Sequence, residues 1–258
     1  MKNEFRIADE HENLGRTYFE KGNYSEAVNE CLEALRIEPR EPHFHYNLGN
    51  VYKAQGALDK AVSEYQETIE LNPNHVEAHH NLALAYKDLE RLDEAIEEYR
   101  KVLSINPFFM EAYNDLGCIY RAQGKSNEAL RELQLALAIN PNVAITHCNI
   151  GKILGEQGKL DDAVKEFLAA IKLNPMLSEA HNDLGHAYFE RGKLDDAAKE
   201  CLEAIRIEPN EPHFHYGLGN VFAAQGNLND AIMEYKKALE INPDYMPAQL
   251  NLIKISKL

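Results

Sequence analysis

The chain has 258 residues, a formal net charge of -15 at neutral pH and no tryptophan. This charge repels nucleic acid phosphates and anionic lipid surfaces at long range, and no basic run interrupts it, so we expect no nucleic acid binding. The opening residues MKNEFRIADEHENL contain no apolar stretch of signal-peptide length. No segment approaches the about 20 apolar residues that span a bilayer, so we expect no membrane insertion and a cytoplasmic location.

Prolines recur every 34 residues along the chain, at Pro39, Pro73, Pro107, Pro141, Pro175, Pro209 and Pro243. A constant period of this length is typical of solenoids, in which each unit stacks on its neighbours. With each proline at position 32, the units span residues 8–41, 42–75, 76–109, 110–143, 144–177, 178–211 and 212–245. Residues 246–258 have the pattern of the first helix of an eighth unit. We therefore predict a single solenoid domain over residues 1–258.

Two helices are predicted in each unit, because apolar and small residues recur at spacings of three and four. Positions 4, 7, 8 and 11 form the stripe of the first helix, while positions 20, 24 and 27 form that of the second, with alanine at position 20 throughout. Position 15 is glycine in six units and Glu90 in the third, which predicts a helix end with positive φ. We expect the N-cap of the second helix at position 18, in Ser25, Asp59, Asp93, Asn127, Asp161, Asp195 and Asn229.

The pattern resembles the tetratricopeptide repeat (TPR), whose period, small positions and proline it shares over residues 8 to 245. The resemblance implies an all-α fold, a right-handed α-solenoid of seven helix-turn-helix units plus a C-terminal half unit. It also implies a concave groove lined mainly by first helices. The chain departs from the family at position 4, where tryptophan is common. Here that position is Tyr113 in the fourth unit and histidine in the others, and we expect these rings to serve helix packing.

Position 6 faces the predicted groove and keeps an amide or its acid counterpart in most units. It reads Asn13, Asn47, Asn81, Asp115, Asn149, Asp183, Gly217 and, in the last helix, Asn251. Asparagine gains nothing locally inside a helix, so we expect a role outside packing. The resemblance to superhelical repeats of the O-linked N-acetylglucosamine transferase type implies an asparagine ladder, whose amides grip the backbone of an extended peptide. The alternative is that recently duplicated units share these residues by inheritance.

Positions 5 and 9 vary from unit to unit and are expected to set specificity. The predicted peptide-binding groove therefore contains Asn13, Tyr46, Asn47, Asn50, His80, Asn81, Asn114, Asp115, Asn149, Lys152, Asn182, Asp183, His186, Tyr216 and Asn220. Acidic residues outnumber basic ones at the groove positions, which favours a partner segment of neutral to basic character. The motif EPHFHY occurs at Glu41–Tyr46 and again at Glu211–Tyr216. Duplication explains this most simply, and two equivalent sites for one partner are the alternative.

Cysteines and histidines give no catalytic or metal-binding motif. Cys31 and Cys201 occupy core position 24, whereas Cys118 and Cys148 are expected to face the groove. A redox or metal pair of these two is the less favoured interpretation, and two small groove residues the simpler one. No zinc, phosphate-loop or nucleophile motif is present in the sequence, so we predict no cofactor, no metal and no enzymatic activity.

Two functions of different class remain open. The first is a non-catalytic adaptor that binds an extended peptide segment of another protein in the groove. The second is a scaffold that self-associates and organises a multiprotein or organelle assembly, as some tetratricopeptide proteins do. Exposed apolar side chains would favour the second, and we expect them at Phe108, Phe109, Leu252, Ile253, Ile255 and Leu258.

Overall fold

The computed structural model describes residues 2–255, with side chains from Arg6 onward. Over this range the regular secondary structure is entirely α-helical, in fifteen helices. They are α1 (Lys2–Glu20), α2 (Tyr24–Ile37), α3 (Pro42–Ala54), α4 (Leu58–Leu71), α5 (Val76–Asp88), α6 (Leu92–Ile105), α7 (Met110–Ala122), α8 (Ser126–Ile139), α9 (Ala144–Glu156), α10 (Leu160–Leu173), α11 (Ser178–Glu190), α12 (Leu194–Ile207), α13 (Pro212–Ala224), α14 (Leu228–Ile241) and α15 (Met246–Ile255). None of them combines the length and apolar composition needed to cross a bilayer.

The helices pack in consecutive pairs, as in α3 with α4 and in α13 with α14. The second helix of a pair also packs against the first helix of the next, as α4 does against α5. This arrangement confirms the predicted all-α repeat solenoid. The chain groups into two compact units that each contain several repeats, the N-terminal unit up to Ile119 and the C-terminal unit from Tyr120 onward. The single domain over residues 1–258 stays a prediction.

The turn inside each helix pair follows the glycine prediction but not the N-cap prediction. The six glycines at position 15 have φ between 72 and 81°, and Glu90 replaces them with φ 59°. The prediction that position 18 caps the second helix is wrong, because that helix begins at position 17. The N-cap residue is at position 16, as Ala57 is in α4, and its side chain makes no capping hydrogen bond. Asp59 therefore lies in the first turn, where the positive end of the helix dipole stabilises a carboxylate.

The core is built where small residues of one helix meet large residues of the next. The alanines at position 20 are fully buried in all seven units. A Cβ atom placed on Gly49 would lie 2.7 Å from Cε1 of Tyr65, and one on Gly151 would lie 2.6 Å from Cε1 of Phe167. Glycine at position 8 thus lets the ring at position 24 lie against the helix backbone. Cys31 and Cys201 are buried in the core, as expected for position 24.

The position 4 histidines have a more specific role than filling space. In each, Nδ1 lies 2.6 to 2.7 Å from a glutamate oxygen of the second helix, in the pairs His11–Glu30, His45–Glu64, His79–Glu98, His147–Glu166, His181–Glu200 and His215–Glu234. In all of these except the His11 pair, Nε2 also donates to the carbonyl oxygen of the preceding position 32 proline, at 3.0 to 3.1 Å. Each such ring therefore joins both helices of its pair to the turn before them.

Helix α15 divides its apolar residues between two faces. Leu252 and Ile255 pack against the cluster formed by α14, so their predicted exposure is wrong. Ile253 is 51% exposed, as predicted, and helical periodicity also exposes Met246 and Leu250, by 59% and 50%. Leu258 lies outside the described residues. In the N-terminal unit, Phe108 is exposed as predicted, whereas Phe109 is partly buried, with its ring centroid 5.0 Å from that of His80.

Candidate functional site

The first-helix face of the N-terminal unit carries a hydrogen-bond network between consecutive repeats. Nδ2 of Asn81, on α5, donates to Oδ1 of Asn50 at 2.9 Å and to the hydroxyl of Tyr46 at 3.1 Å, both on α3. The Tyr65 hydroxyl donates to the same Asn50 oxygen at 2.9 Å. The Asn81 amide group therefore donates within the protein. The expectation that position 6 lacks a packing role is wrong here, because it links one repeat to the next.

The same link recurs in other repeats. Asn251 Nδ2 donates to Asn220 Oδ1 at 2.9 Å, and the Tyr235 hydroxyl donates to that oxygen at 2.8 Å. Asn47 Nδ2 donates to a Glu12 carboxylate oxygen at 3.0 Å. Asn13 differs, since its amide is exposed and donates to the Asp9 carbonyl oxygen of its own helix at 2.8 Å. The shared geometry is a position 6 side chain that reaches position 5 or 9 of the repeat before it.

Carboxylates at position 6 reach basic groups. Asp115 accepts from Lys87 Nζ at 3.0 Å and lies 3.5 Å from His80 Nε2. Burial alone would raise the pKa of Asp115, but His80 and Lys87 outweigh it and lower that pKa. Asp183 lies 3.3 Å from Lys152 Nζ. There burial dominates and raises the pKa of Asp183, in spite of Lys152.

Lys152 lies at the centre of an ionic cluster in the C-terminal unit. Besides Asp183, its Nζ atom lies 3.2 Å from Glu179, which in turn lies 3.4 Å from His213 Nε2. The His213 hydrogen bond, with Lys152 adding to it, lowers the pKa of Glu179 to about 2 against the effect of burial. The cluster joins α9, α11 and α13, because Lys152, Glu179 and His213 each come from one of these first helices.

Cys148 is not the open groove residue that its position predicts. It is fully buried, and its thiol lies 3.6 Å from the Asp183 carboxylate. Burial, with Asp183 adding to it, raises the pKa of this thiol to about 12, which opposes formation of a reactive thiolate. Cys118 is partly buried. Residues 2–255 contain no cluster of three or more side chains that could hold a metal ion.

Six predicted site residues surround two cavities in the C-terminal unit. A cavity of about 540 Å³ is lined in part by Lys152, Asn182, Asp183 and His186. A second, of about 320 Å³, shares Asn182 and His186 and adds Tyr216 and Asn220. Both lie along the first helices α9, α11 and α13, where the resemblance places a groove.

The other predicted residues are less concentrated. Asn47 and Asn50 line a cavity of about 290 Å³ in the N-terminal unit, together with Glu12 and Arg16. Asn114 is partly buried, and Asn149 is buried. Sequence reasoning missed the hydroxyls of Tyr65 and Tyr235 as partners of groove asparagines. The available signal was that position 9 is asparagine in two repeats, Asn50 and Asn220, and that both of these repeats have tyrosine at the nominally apolar position 24.

Sequence comparison decides the family. Residues 15–56, 49–90, 117–158, 151–190, 185–226 and 219–252 match the model described as TPR repeat. Residues 76–109 and 98–131 match models of the tetratricopeptide repeat. The chain belongs to the tetratricopeptide repeat family. TPR repeats generally mediate protein-protein interactions, and TPR proteins are generally non-catalytic adaptors.

Solved TPR structures share the fold at low identity. A tetratricopeptide repeat protein from Parabacteroides merdae gives a TM-score of 0.78 at 20% identity, covering 98% of this chain and 100% of that one. The Cut9-Hcn1 hetero-tetramer of the APC/C also gives 0.78 at 20% identity, covering 96% of this chain and 48% of that one. The chain thus spans about half the length of that relative. YrrB, described as a TPR protein with an unusual peptide-binding site, gives 0.56 at 24% identity, covering 75% and 98%. Curated protein sequences give no significant match.

Proposed function

We propose that this TPR protein is a non-catalytic adaptor that binds an extended segment of another protein along α9, α11 and α13. The observation that carries the proposal is the grouping of six predicted groove residues around two cavities that share Asn182 and His186. Ligand sites combine concave surface with a few convergent polar groups, and both cavities have that character.

The walls of this surface are held in place before any partner arrives. Asp183 and Glu179 are both bound to Lys152, and Glu179 is also bound to His213. At the other side, Asn220 accepts hydrogen bonds from Tyr235 and Asn251. Because these side chains are already ordered, a bound segment would pay less conformational entropy to immobilise them.

Charge favours a neutral to basic segment. The larger cavity is lined by the acidic Glu156, Asp183 and Glu190 and by the basic Arg121 and Lys152. The chain as a whole carries a formal net charge of -15, which also attracts basic segments. A basic segment should therefore associate faster than an acidic one, and the difference should shrink as salt screens the field.

YrrB shares the fold and is described as having a peptide-binding site. The likeness supports the proposal only by showing that this fold can carry such a site. A cytoplasmic location and an asparagine grip on the peptide backbone stay predictions. The internal bonds of Asn81 and Asn251 change how such a grip would work. The side-chain NH₂ groups of Asn81 and Asn251 donate within the protein. A bound peptide would therefore contact mainly Asn182, His186 and the side-chain carbonyl oxygens of the position 6 asparagines.

Selection from a library of displayed twelve-residue peptides tests the proposal. We expect the wild-type protein to enrich a related set of neutral to basic sequences. The double variant Asn182→Ala with His186→Ala should lose that enrichment, whereas Lys199→Ala, on the exposed side of α12, should keep it. No enrichment by the wild-type protein, or the same sequences with all three proteins, would contradict the proposal.

A self-associating scaffold is the second candidate, and the apolar stripe on α15 favours it. Met246, Leu250 and Ile253 follow at spacings of four and three and are each about half exposed or more. A second copy of the chain could cover this stripe. Sedimentation velocity should then show a dimer whose dissociation constant rises in Leu250→Lys. A monomer at all concentrations would leave only the adaptor function.

A further inference from the structure

The position 6 series is interrupted at Gly217, on α13. In most other repeats the side chain at this position reaches the residue 31 or 35 places earlier, and Asn81 reaches both, Asn50 and Tyr46. The residues that stand in those places before Gly217 are His186 and Asn182. Glycine has no side chain to offer them, so this link between repeats is missing.

A cavity of about 320 Å³ is present at this point. Its walls include Asn182, His186 and Gly217, with Gly185 and Cys201 also lining it. A Cβ atom placed on Gly217 would lie 3.4 Å from Asn182 Oδ1 and 3.9 Å from the Cys201 sulfur. These are ordinary contact distances, and they show that a side chain at residue 217 would project into the space beside Asn182.

Two polar residues that line the cavity, Asn182 and His186, have few partners within the protein. The Asn182 side chain makes no hydrogen bond within the described part of the chain, although its counterpart Tyr46 accepts one from Asn81. The His186 ring is 73% exposed, and its Nε2 atom lies 3.9 Å from Glu190, beyond hydrogen-bond distance. An amide carbonyl and an imidazole therefore line a space that is filled by a carboxamide in the repeats of Asn47 and Asn81, and by a carboxylate paired with Lys87 or Lys152 in those of Asp115 and Asp183.

We infer that this cavity binds a carboxamide side chain, asparagine or glutamine, from the segment held in the groove. The incoming amide takes the place of the side chain that Gly217 lacks, and its NH₂ group donates to Asn182 Oδ1 and to the ring of His186. An acidic side chain of the same shape is rejected, because it has no N–H to donate to Asn182 Oδ1. Asp183 and Glu179, on the same helix α11 as Asn182, would also repel its negative charge. The inference rests on the proposed function, since the carboxamide would belong to the bound segment.

Titration of the ¹⁵N-labelled protein with N-acetyl-L-asparagine amide, followed by NMR, tests the cavity without any peptide. We expect saturable shifts at Gly217, Gly185 and the Asn182 side chain. The aspartate and leucine counterparts of the probe should bind at least about fivefold more weakly. The variant Gly217→Asn, whose side chain restores the ladder and fills the space, should lose the shifts, whereas Lys199→Ala should keep them.

Several outcomes would overturn the inference: no saturable shift in the wild-type protein, equal binding of the three probes, or shifts that persist in Gly217→Asn. A thermal unfolding curve of Gly217→Asn, expected at or above the wild-type midpoint, shows that any loss is not loss of folding. Failure here is distinct from failure of the proposed function. Library peptides that bind while the probe does not would sink the inference alone, whereas probe binding with no selected peptide would sink the groove function.

Discussion

Asn81 and Asn50, 31 residues apart in sequence, are joined by a hydrogen bond of 2.9 Å between Nδ2 and Oδ1. The bond connects α5 to α3, which are first helices of consecutive repeats. Because stability in repeat arrays is the sum of unit terms and interface terms, such a bond acts on the interface term. The position 6 amide is thus a structural part of the array as well as a groove residue.

Replacing Asn81 by alanine should destabilise the protein. The change removes two hydrogen bonds between repeats and leaves Asn50 and Tyr46 without that donor. The higher helix propensity of alanine offsets part of this destabilisation. We expect a net loss of about 1–2 kcal/mol in the free energy of unfolding, measured by urea denaturation. Asn13→Ala is the matched control, since Asn13 bonds only within its own helix, and its stability should be unchanged or slightly higher.

Two glycines of α9 should respond to alanine in opposite directions. A Cβ atom on Gly151 would lie 2.6 Å from the Phe167 ring, so Gly151→Ala should cost about 1–3 kcal/mol. Gly155, one turn later, has nothing within 4 Å of the added atom. Gly155→Ala should therefore gain about 0.5–1 kcal/mol from helix propensity. Thermal unfolding of both variants checks the pair, and a loss of equal size in both would refute the close contact.

The pair of His79 and Glu98 should make the stability of the protein depend on pH. Burial alone would raise the pKa of Glu98, but hydrogen bonds from His79 and Lys101 outweigh it and lower that pKa. The stabilisation is therefore present above the ordinary glutamate pKa of about 4.5 and is lost as the pH falls through the lower folded value. Glu98→Gln should cost about 1–3 kcal/mol at pH 7 and progressively less below pH 4.5.

Glu166→Gln is the control for that prediction. Glu166 pairs with His147 at the same repeat position, but its side chain is 30% exposed, against 10% for Glu98. Because exposed ion pairs contribute little, its loss should stay below about 1 kcal/mol. Urea unfolding at pH 7, 5 and 4 separates the two. If the stability lost in Glu98→Gln did not change with pH, the charge of the Glu98 carboxylate would not be the source of the stabilisation.

Cys148 should react very slowly in the folded protein. Its thiol is fully buried, and the pKa is raised to about 12, so the thiolate is scarce at pH 8. We expect alkylation by iodoacetamide at least about a hundredfold slower than in urea, measured by mass spectrometry of the labelled peptide. Rapid native labelling of Cys148 would contradict its placement beneath Asp183.

The regular parts of the fold could be predicted because they depend on local periodicity. The 34-residue period, the alanines at position 20 and the glycines at position 15 each have one structural explanation. The N-cap could not be predicted correctly, because aspartate is favoured both at the N-cap and within the first turn, where Asp59 lies. Only the length of the preceding loop distinguishes the two positions.

The role of the position 6 side chains could not be predicted from the sequence. Whether Asn81 is free for a partner depends on how far Asn50 and Tyr46 lie from it, and that distance follows from the packing angle of two repeats. The His79 and Glu98 pairing was readable in principle, since glutamate stands 19 residues after each position 4 histidine. Both cases show that contacts between helices, rather than within them, limit what a single sequence reveals.

Fluorescence anisotropy tests the central claim, that the face formed by α9, α11 and α13 binds a peptide. A labelled peptide from the library selection is titrated with the wild-type protein, with Lys199→Ala, and with the double variant Asn182→Ala and His186→Ala. We predict equal affinity for the first two and at least about tenfold weaker binding by the double variant, which corresponds to about 1.4 kcal/mol. Equal affinity of all three proteins would contradict the claim.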